Sequence, residues 1–204
     1  GGFSQAFVPL LAEYRERRTH AEVQALVDHT TAVLGLALLG ITALGVLCAP
    51  FVVLAFAPGF ADDADQQELT AAMLRVTFPY IFFISLTALG GGILNTYRQF
   101  GVPAFTPVFL NLSMIAATLW LAPRMARPVE ALAWGVFIAG VAQLLFQIPF
   151  LVRLRLLPRP RLGRDREGVG RILKLMVPTL FGVSVTQINL LVDTQVASFL
   201  VTGS

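Results

Sequence analysis

Residues 30–61 read TTAVLGLALLGITALGVLCAPFVVLAFAPGFA, without a single Asp, Glu, Lys or Arg. An α-helix needs about 20 apolar residues to cross the hydrocarbon core of a bilayer. This run supplies them before Pro50 and Pro58 intervene near its end. The signature then recurs. Charge-free stretches extend from Val76 to Tyr97, from Gln99 to Pro123, from Ala131 to Val152 and from Leu175 to Val192, and after Asp193 the chain is uncharged again to Ser204. Gly1 to Leu11 reads as the tail of a further helix. The expected architecture is therefore all-α: a polytopic membrane bundle with five transmembrane helices over 30–57, 72–97, 102–123, 131–152 and 175–201, preceded by a helix stub over 1–11.

Composition points the same way. The 204 residues are 56% hydrophobic and 13% charged, with a mean hydropathy of +0.74. A soluble domain carries about 25% charged and about 45–50% apolar residues. Disorder, a nucleic-acid module and an ordinary cytosolic enzyme are excluded on that basis, because too few charges remain to coat a water-facing surface. Cys48 is the only cysteine and cannot form an internal disulfide, and His20 and His29 make no metal pair. No cofactor and no metal is expected, and no signal peptide ahead of the first span, since the chain opens inside an apolar segment.

The net charge of +3 is distributed by loop rather than by surface patch. Arg15, Arg17 and Arg18 precede the first long span, Arg98 stands between the second and third, and Arg153, Arg155, Arg159, Arg161, Arg164, Arg166, Arg171 and Lys174 follow the fourth. Those three loops hold twelve of the fifteen basic residues. The intervening loops hold Asp62, Asp63, Asp65 and Glu68 in one case, and only Arg124 and Arg127 in the other. Basic loops stay on the cytoplasmic side, so the acidic loop and the C-terminus are expected outside. Arg75, at the far edge of the acidic loop, reads as a snorkelling interfacial anchor in preference to a substrate contact.

Several motifs admit a chemical and a structural reading. Gly90-Gly91-Gly92 lacks the Lys-Ser/Thr partner and preceding strand of a phosphate loop, so close helix packing or a hinge is expected. Asp62-Asp63-Ala64-Asp65 resembles a Mg²⁺–diphosphate cluster, but Asp63 and Gln66 also have capping-box spacing, which is the preferred reading. Ala131, Gly135, Ala139, Gln143 and Gln147 recur every four residues, a stripe of small residues and amides suited to helix–helix contact. In the fifth span Thr186, Asn189 and Asp193 share a helical face, with Gln187, Thr194 and Ser198 on an adjacent stripe. A carboxylate at a helix centre costs about 2.5–3.5 kcal/mol on insertion scales. Asp193 is thus expected to face protein or water, either in the wall of a polar cavity or in a buried interhelical hydrogen bond. Pro79, Pro103, Pro107, Pro149 and Pro178 interrupt or flank the spans, breaks that suit a protein that changes shape. No His-Glu-x-x-His, Gly-x-Ser-x-Gly or Cys-x-x-Cys enzyme signature occurs.

The stretch Gly2-Phe3-Ser4-Gln5-Ala6-Phe7-Val8-Pro9, continuing to Ala12-Glu13-Tyr14, resembles the MurJ/MviN lipid II flippase family. So do Ala57-Pro58-Gly59-Phe60, Thr77-Phe78-Pro79-Tyr80, the block from Ile93-Leu94-Asn95-Thr96 through Pro103-Ala104-Phe105 to Leu110-Asn111-Leu112-Ser113, and Gly182 to Ile188. The family belongs to the multidrug/oligosaccharidyl-lipid/polysaccharide exporter superfamily, whose members arrange fourteen helices in two lobes around a central cavity. The resemblance implies that this chain corresponds to the end of helix two through helix seven. It implies a multi-pass protein of the bacterial cytoplasmic (inner) membrane, and transport of an undecaprenyl-diphosphate-linked peptidoglycan precursor from inner to outer leaflet for cell wall synthesis. Membrane lipid and the remaining helices of the same protein are the other implied partners, and nucleic acid is not among them. By position, the resemblance makes Ser4, Phe7, Thr186, Gln187, Asn189 and Asp193 the cavity candidates. It gives Arg98 no head-group role, because that basic residue is displaced by one from the family pattern. A drug or polysaccharide exporter of the same superfamily is the nearest alternative; an intramembrane prenyl-diphosphate enzyme using Asp62 to Asp65, or a passive scaffold, is the alternative from another class.

Overall fold

The computed structural model describes residues 2–59, 64–161, 170–172, 174, 188, 190, 192–194 and 196. Among the described residues there is no strand. The helices are α1 (Gly2–Arg17), α2 (His20–Leu47), α3 (Ala49–Phe56), α4 (Ala64–Thr77), α5 (Tyr80–Thr96), α6 (Gly101–Ala116) and α7 (Glu130–Arg153). A π-helical turn, Ala117–Leu121, and a 3-10 turn, Ala122–Arg124, prolong α6. Four stretches are long and apolar enough to cross a membrane: His20–Leu47, Ala64–Thr96, Gly101–Arg124 and Glu130–Arg153. The chain is a polytopic helical membrane bundle. The expected fifth span lies outside the described residues apart from 188, 190, 192–194 and 196, which are helical.

Helix ends depart from the charge-free runs for identifiable reasons. α1 continues through Arg17, beyond the expected stub end at Leu11. α2 begins at His20, well ahead of Thr30, because Thr19 and Glu22 form a capping box: the Glu22 N–H donates to Thr19 Oγ1 at 3.4 Å and the Thr19 N–H to Glu22 Oε2 at 2.9 Å. Such reciprocal bonds satisfy two otherwise unpaired donors and fix where a helix starts. At the other end α2 stops at Leu47, and Pro50 sits in the first turn of α3, where no backbone N–H is required. Pro79 separates α4 from α5 in the same manner, dividing the second span without ending it.

The main core gathers at the end of the bundle that carries the arginine-rich loops. It unites Phe7, Leu10 and Leu11 of α1, Val23, Leu26 and Val27 of α2, Leu89, Ile93 and Leu94 of α5, Leu151 of α7, and Leu156 and Ile172 beyond it. Polar groups tie the same end together. Arg15 Nη1 donates to the Thr96 carbonyl at 2.6 Å and its guanidinium lies 4.8 Å over the Tyr97 ring, placing a cation on the last carbonyls of α5. Asp28, buried in α2, accepts from Gln24 Nε2 at 2.5 Å and from the Arg159 N–H at 2.8 Å, while Gln24 also donates to the Leu157 carbonyl at 3.2 Å. The segment leaving α7 is thereby strapped along the first turns of α2.

Both α5 and α7 end here in Schellman motifs. The Gln99 N–H reaches the Leu94 carbonyl at 2.8 Å and the Leu156 N–H reaches Leu151 at 3.0 Å, with Arg98 and Arg155 in the left-handed position at φ 61° and 55°. Glycine is the residue that occupies this position without steric cost.

Candidate functional site

The site is built from the two glycine- and amide-bearing faces that the sequence analysis singled out. On α7 the stripe Ala131, Gly135, Ala139, Gln143 and Gln147, one residue in every four, is buried throughout. Its upper part is a close helix contact: a Cβ on Gly135 would stand 2.9 Å from Ala117 Cβ and 3.3 Å from the Ser113 carbonyl, so only glycine lets α6 and its π turn lie this near. Its lower part ends in the two glutamines. On α5, the glycine triplet is a packing hub facing three helices. A Cβ on Gly90 would come within 2.5 Å of Gln147 Oε1, one on Gly91 within 3.5 Å of Pro103 Cβ on α6, and one on Gly92 within 3.2 Å of Val8 Cγ2 and 3.3 Å of Phe7 Cδ1 on α1. The packing reading of Gly90-Gly91-Gly92 is the one the geometry carries.

Between these faces lies a cavity of about 370 Å³. α1 contributes Ser4 and Val8, α5 contributes Tyr80, Ile84, Thr87 and Asn95 beside its glycines, α6 contributes Pro103, Thr106, Pro107 and Leu110, and α7 contributes Gln143 and Gln147. The wall is amphipathic and uncharged. Hydroxyls and amides are interleaved with aliphatic side chains, and among the described residues no Arg, Lys, Asp or Glu lines it.

Hydrogen bonding inside the cavity is incomplete. Thr106 Oγ1 donates back to the Val102 carbonyl at 2.9 Å, so toward Gln147 it can only accept, and it does so from Nε2 at 3.2 Å. That pairing fixes the orientation of the Gln147 amide and leaves Oε1 turned to Gly90. Gln147 Oε1 and Thr87 Oγ1 are both buried without a hydrogen-bond partner. Tyr80 Oη approaches Gln143 Oε1 only to 3.5 Å, the outer limit of a hydrogen bond. Pro107 has no N–H to offer the Pro103 carbonyl one turn earlier.

Of the expected site residues, Ser4 lines this cavity. Phe7, one turn further along α1, is fully buried in the core and stacked on Phe3 with ring centroids 5.3 Å apart. Asp193 is helical and exposed, whereas Thr186, Gln187 and Asn189 lie outside the described residues. Asp62 and Asp63 also lie outside them; Asp65 is exposed in the first turn of α4, and Arg75 is exposed in its last. No group of His, Cys, Asp and Glu among the described residues is arranged to hold a metal ion. Tyr80, Thr87 and Thr106 were not anticipated as site residues. Gln143 and Gln147 were anticipated as helix-contact residues and do both jobs. A stripe of small residues that closes on two amides was the available signal; for Thr87 there was none.

Comparison with known proteins gives a consistent result. The family model described as "Lipid II flippase MurJ" matches residues 1–204. The "Probable lipid II flippase MurJ" of Haemophilus influenzae is 46% identical over 100% of this chain and 41% of its own length. The "Lipid II flippase MurJ" of Burkholderia cenocepacia is 45% identical over 100% of the chain and 40% of its own length, and a Rhizobium tropici relative is 37% identical over 97% of the chain. The chain thus spans about 40% of the length of the curated relatives it matches. A multi-pass helical bundle, its charge-free spans and a family match from the first residue to the last lead to one assignment: the chain belongs to the MurJ family of lipid II flippases.

Proposed function

We propose that the protein containing this chain is a lipid II flippase of the bacterial cytoplasmic membrane, a transporter rather than an enzyme. It moves the undecaprenyl-diphosphate-linked disaccharide-pentapeptide from the inner to the outer leaflet by alternating access. The carrying observation is the family match over the whole of residues 1–204. Physical chemistry states the task. A diphosphate and a peptide-bearing sugar cannot cross about 30 Å of hydrocarbon unaided. Polar protein groups must replace water around the head group while the prenyl tail stays in lipid, and two lobes rocking about the site expose it to each side in turn.

In this reading the chain supplies the end of helix two through helix seven of a fourteen-helix, two-lobe transporter, and the remaining helices complete the central chamber. Ser4, Thr186, Gln187, Asn189 and Asp193 are proposed as the chamber residues of this part; Phe7, expected with them from the resemblance, packs in the core instead. The arginine-rich core end is proposed to face the cytoplasm, as the loop charges require. Diphosphate oxygens are best held by Arg, and among the described residues no Arg lines the cavity.

The test is complementation. The full-length gene is expressed in a bacterium depleted of its own lipid II flippase. Restored growth and normal export of lipid-linked precursor are expected. Continued accumulation of precursor in the inner leaflet, with the protein present in the membrane, would contradict the reading.

A further inference from the structure

We propose that α3 and α4 form a flap at the end of the bundle opposite the arginine-rich core, and that the flap swings about a pivot made by two helix breaks lying side by side. The inference goes beyond the flippase reading and does not depend on it.

The breaks come from two prolines. Pro50 has no N–H for the Val46 carbonyl and Pro79 has none for the Arg75 carbonyl, so the intrahelical ladder is interrupted at both positions. α2 stops at Leu47 and α3 starts at Ala49; α4 stops at Thr77 and α5 starts at Tyr80. α5 restarts with the short bonds of a tightened turn, from the Ile81 N–H to the Phe78 carbonyl at 3.0 Å and from the Phe82 N–H to the Pro79 carbonyl at 3.1 Å. The two breaks share one level. The Phe78 ring lies against Gly45, in the last turn of α2, where a Cβ would overlap it.

The residues on either side of Pro79 are pinned to different helices. Phe78 is seated on Gly45 of α2. Tyr80 is seated on Gly140 of α7, where a Cβ would stand 2.8 Å from Tyr80 Cδ2 and 3.0 Å from Phe83 Cβ. Beyond the break the packing is much thinner. Ala71 is the only buried residue of α4, and it packs with Ala49 and Val53 of α3, backed by Leu74, in a cluster separate from the main core. α4 also runs beside α7, with no further residue of its own buried in doing so. Two helices that cohere chiefly with each other, above a pivot held from both sides, have the makings of a hinge. α4 has 14 residues, about 21 Å at a rise of about 1.5 Å each. A change of about 20° at a proline break therefore carries its far end about 7 Å.

The experiment needs no substrate, so its failure would leave the flippase reading standing. Full-length protein with its native cysteines replaced by Ser is spin-labelled in lipid nanodiscs, and distances are read by double electron–electron resonance. Asp65→Cys with Leu145→Cys spans the pivot; Leu36→Cys with Leu145→Cys lies below it, and all three positions are exposed. The pair across the pivot is expected to give a distribution spread over, or split by, about 7 Å, while the lower pair gives one narrow peak. Pro50→Ala combined with Pro79→Ala restores both N–H donors and is expected to collapse the upper distribution to a single peak. Gly45→Ala keeps both prolines but puts a methyl where the Phe78 ring sits, and is expected to shift the upper distribution without moving the lower one. Equally narrow distributions for the two pairs in the parent would overturn the proposal. So would an upper spread that survives the proline replacements or, should that variant not fold, one that Gly45→Ala leaves in place.

Discussion

Two regions share the same helices and differ in almost everything else. At the arginine-rich end, α1, α5 and α7 present Phe7, Leu94 and Leu151 to a dry core, and the polar groups nearby are bonded: Arg15 to Thr96, Asp28 to Gln24 and Arg159. Within a turn or two, the same helices present Ser4, Thr87 and Gln147 to a cavity where two polar atoms are buried without partners. Ser4 and Phe7 lie about one turn apart on the same side of α1, as do Gln147 and Leu151 on α7, and Thr87 and Leu94 lie two turns apart on one side of α5. A dry, cross-linked base holds its shape; a polar, partly unsatisfied cavity is ready to exchange partners. The contrast teaches that the rigid and the receptive parts of this bundle are successive levels along the same helices, not separate segments.

The sharpest way to probe that contrast is truncation at either level of α1. Phe7→Ala opens the core and is expected to cost about 3–5 kcal/mol, read as a large drop in the thermal unfolding temperature of the purified full-length protein. Ser4→Ala, one turn away, should shift stability by no more than about 0.5 kcal/mol. Similar losses at both sites would erase the distinction.

Next comes the strap. Asp28→Ala leaves the Arg159 N–H unpaired and takes one of the two acceptors from the Gln24 amide, at an expected cost of about 2 kcal/mol. Trypsin should then cleave after Arg161 in the folded protein faster than in the parent. Asp28→Asn keeps an acceptor and should protect most of the segment. Cleavage rates equal to the parent's in Asp28→Ala would show that the carboxylate does not hold this segment.

The glycine triplet separates the regions more finely. Gly90→Ala forces the Gln147 amide to move from 2.5 Å and is expected to destabilise by about 1 kcal/mol. Gly91→Ala meets its neighbour at an ordinary 3.5 Å and gains helix propensity, so its stability should match or exceed the parent's by a few tenths, on the order of 0.5 kcal/mol. The reverse order in a thermal series would contradict the packing described for α5 and α7. The smallest effects belong to the rigid base itself: Arg98→Gly and Arg155→Gly relieve left-handed strain and are each expected to stabilise by about 0.5 kcal/mol.

Much of the bundle was legible in the sequence because lipid enforces a simple rule. Stretches such as 30–61 exclude charge, and any segment that does so at this length must be helical to satisfy its backbone. The α7 stripe was legible too, since small residues at every fourth position have few other uses. Helix starts were not. Glu22, Asp28 and His29 fall inside α2, where capping and burial tolerate them, so absence of charge marks lipid contact rather than the helix end. The cavity was hidden for a different reason. Thr87 and Thr106 are ordinary hydroxyls in ordinary spans, and only the rotation of α5 and α6 about their axes turns them toward Gln147. The left-handed turns at Arg98 and Arg155 were invisible because their glycine signal is missing.

The most direct test of the account is thiol accessibility at the two levels of α1. In full-length protein with the exposed Cys48 and every other cysteine replaced by Ser, Ser4→Cys and Phe7→Cys are treated with a water-soluble maleimide in membrane vesicles, with and without lipid II. The account predicts labelling at Ser4→Cys, suppressed by lipid II, and none at Phe7→Cys. An unreactive thiol at position 4, or labelling that lipid II leaves unchanged, would contradict it.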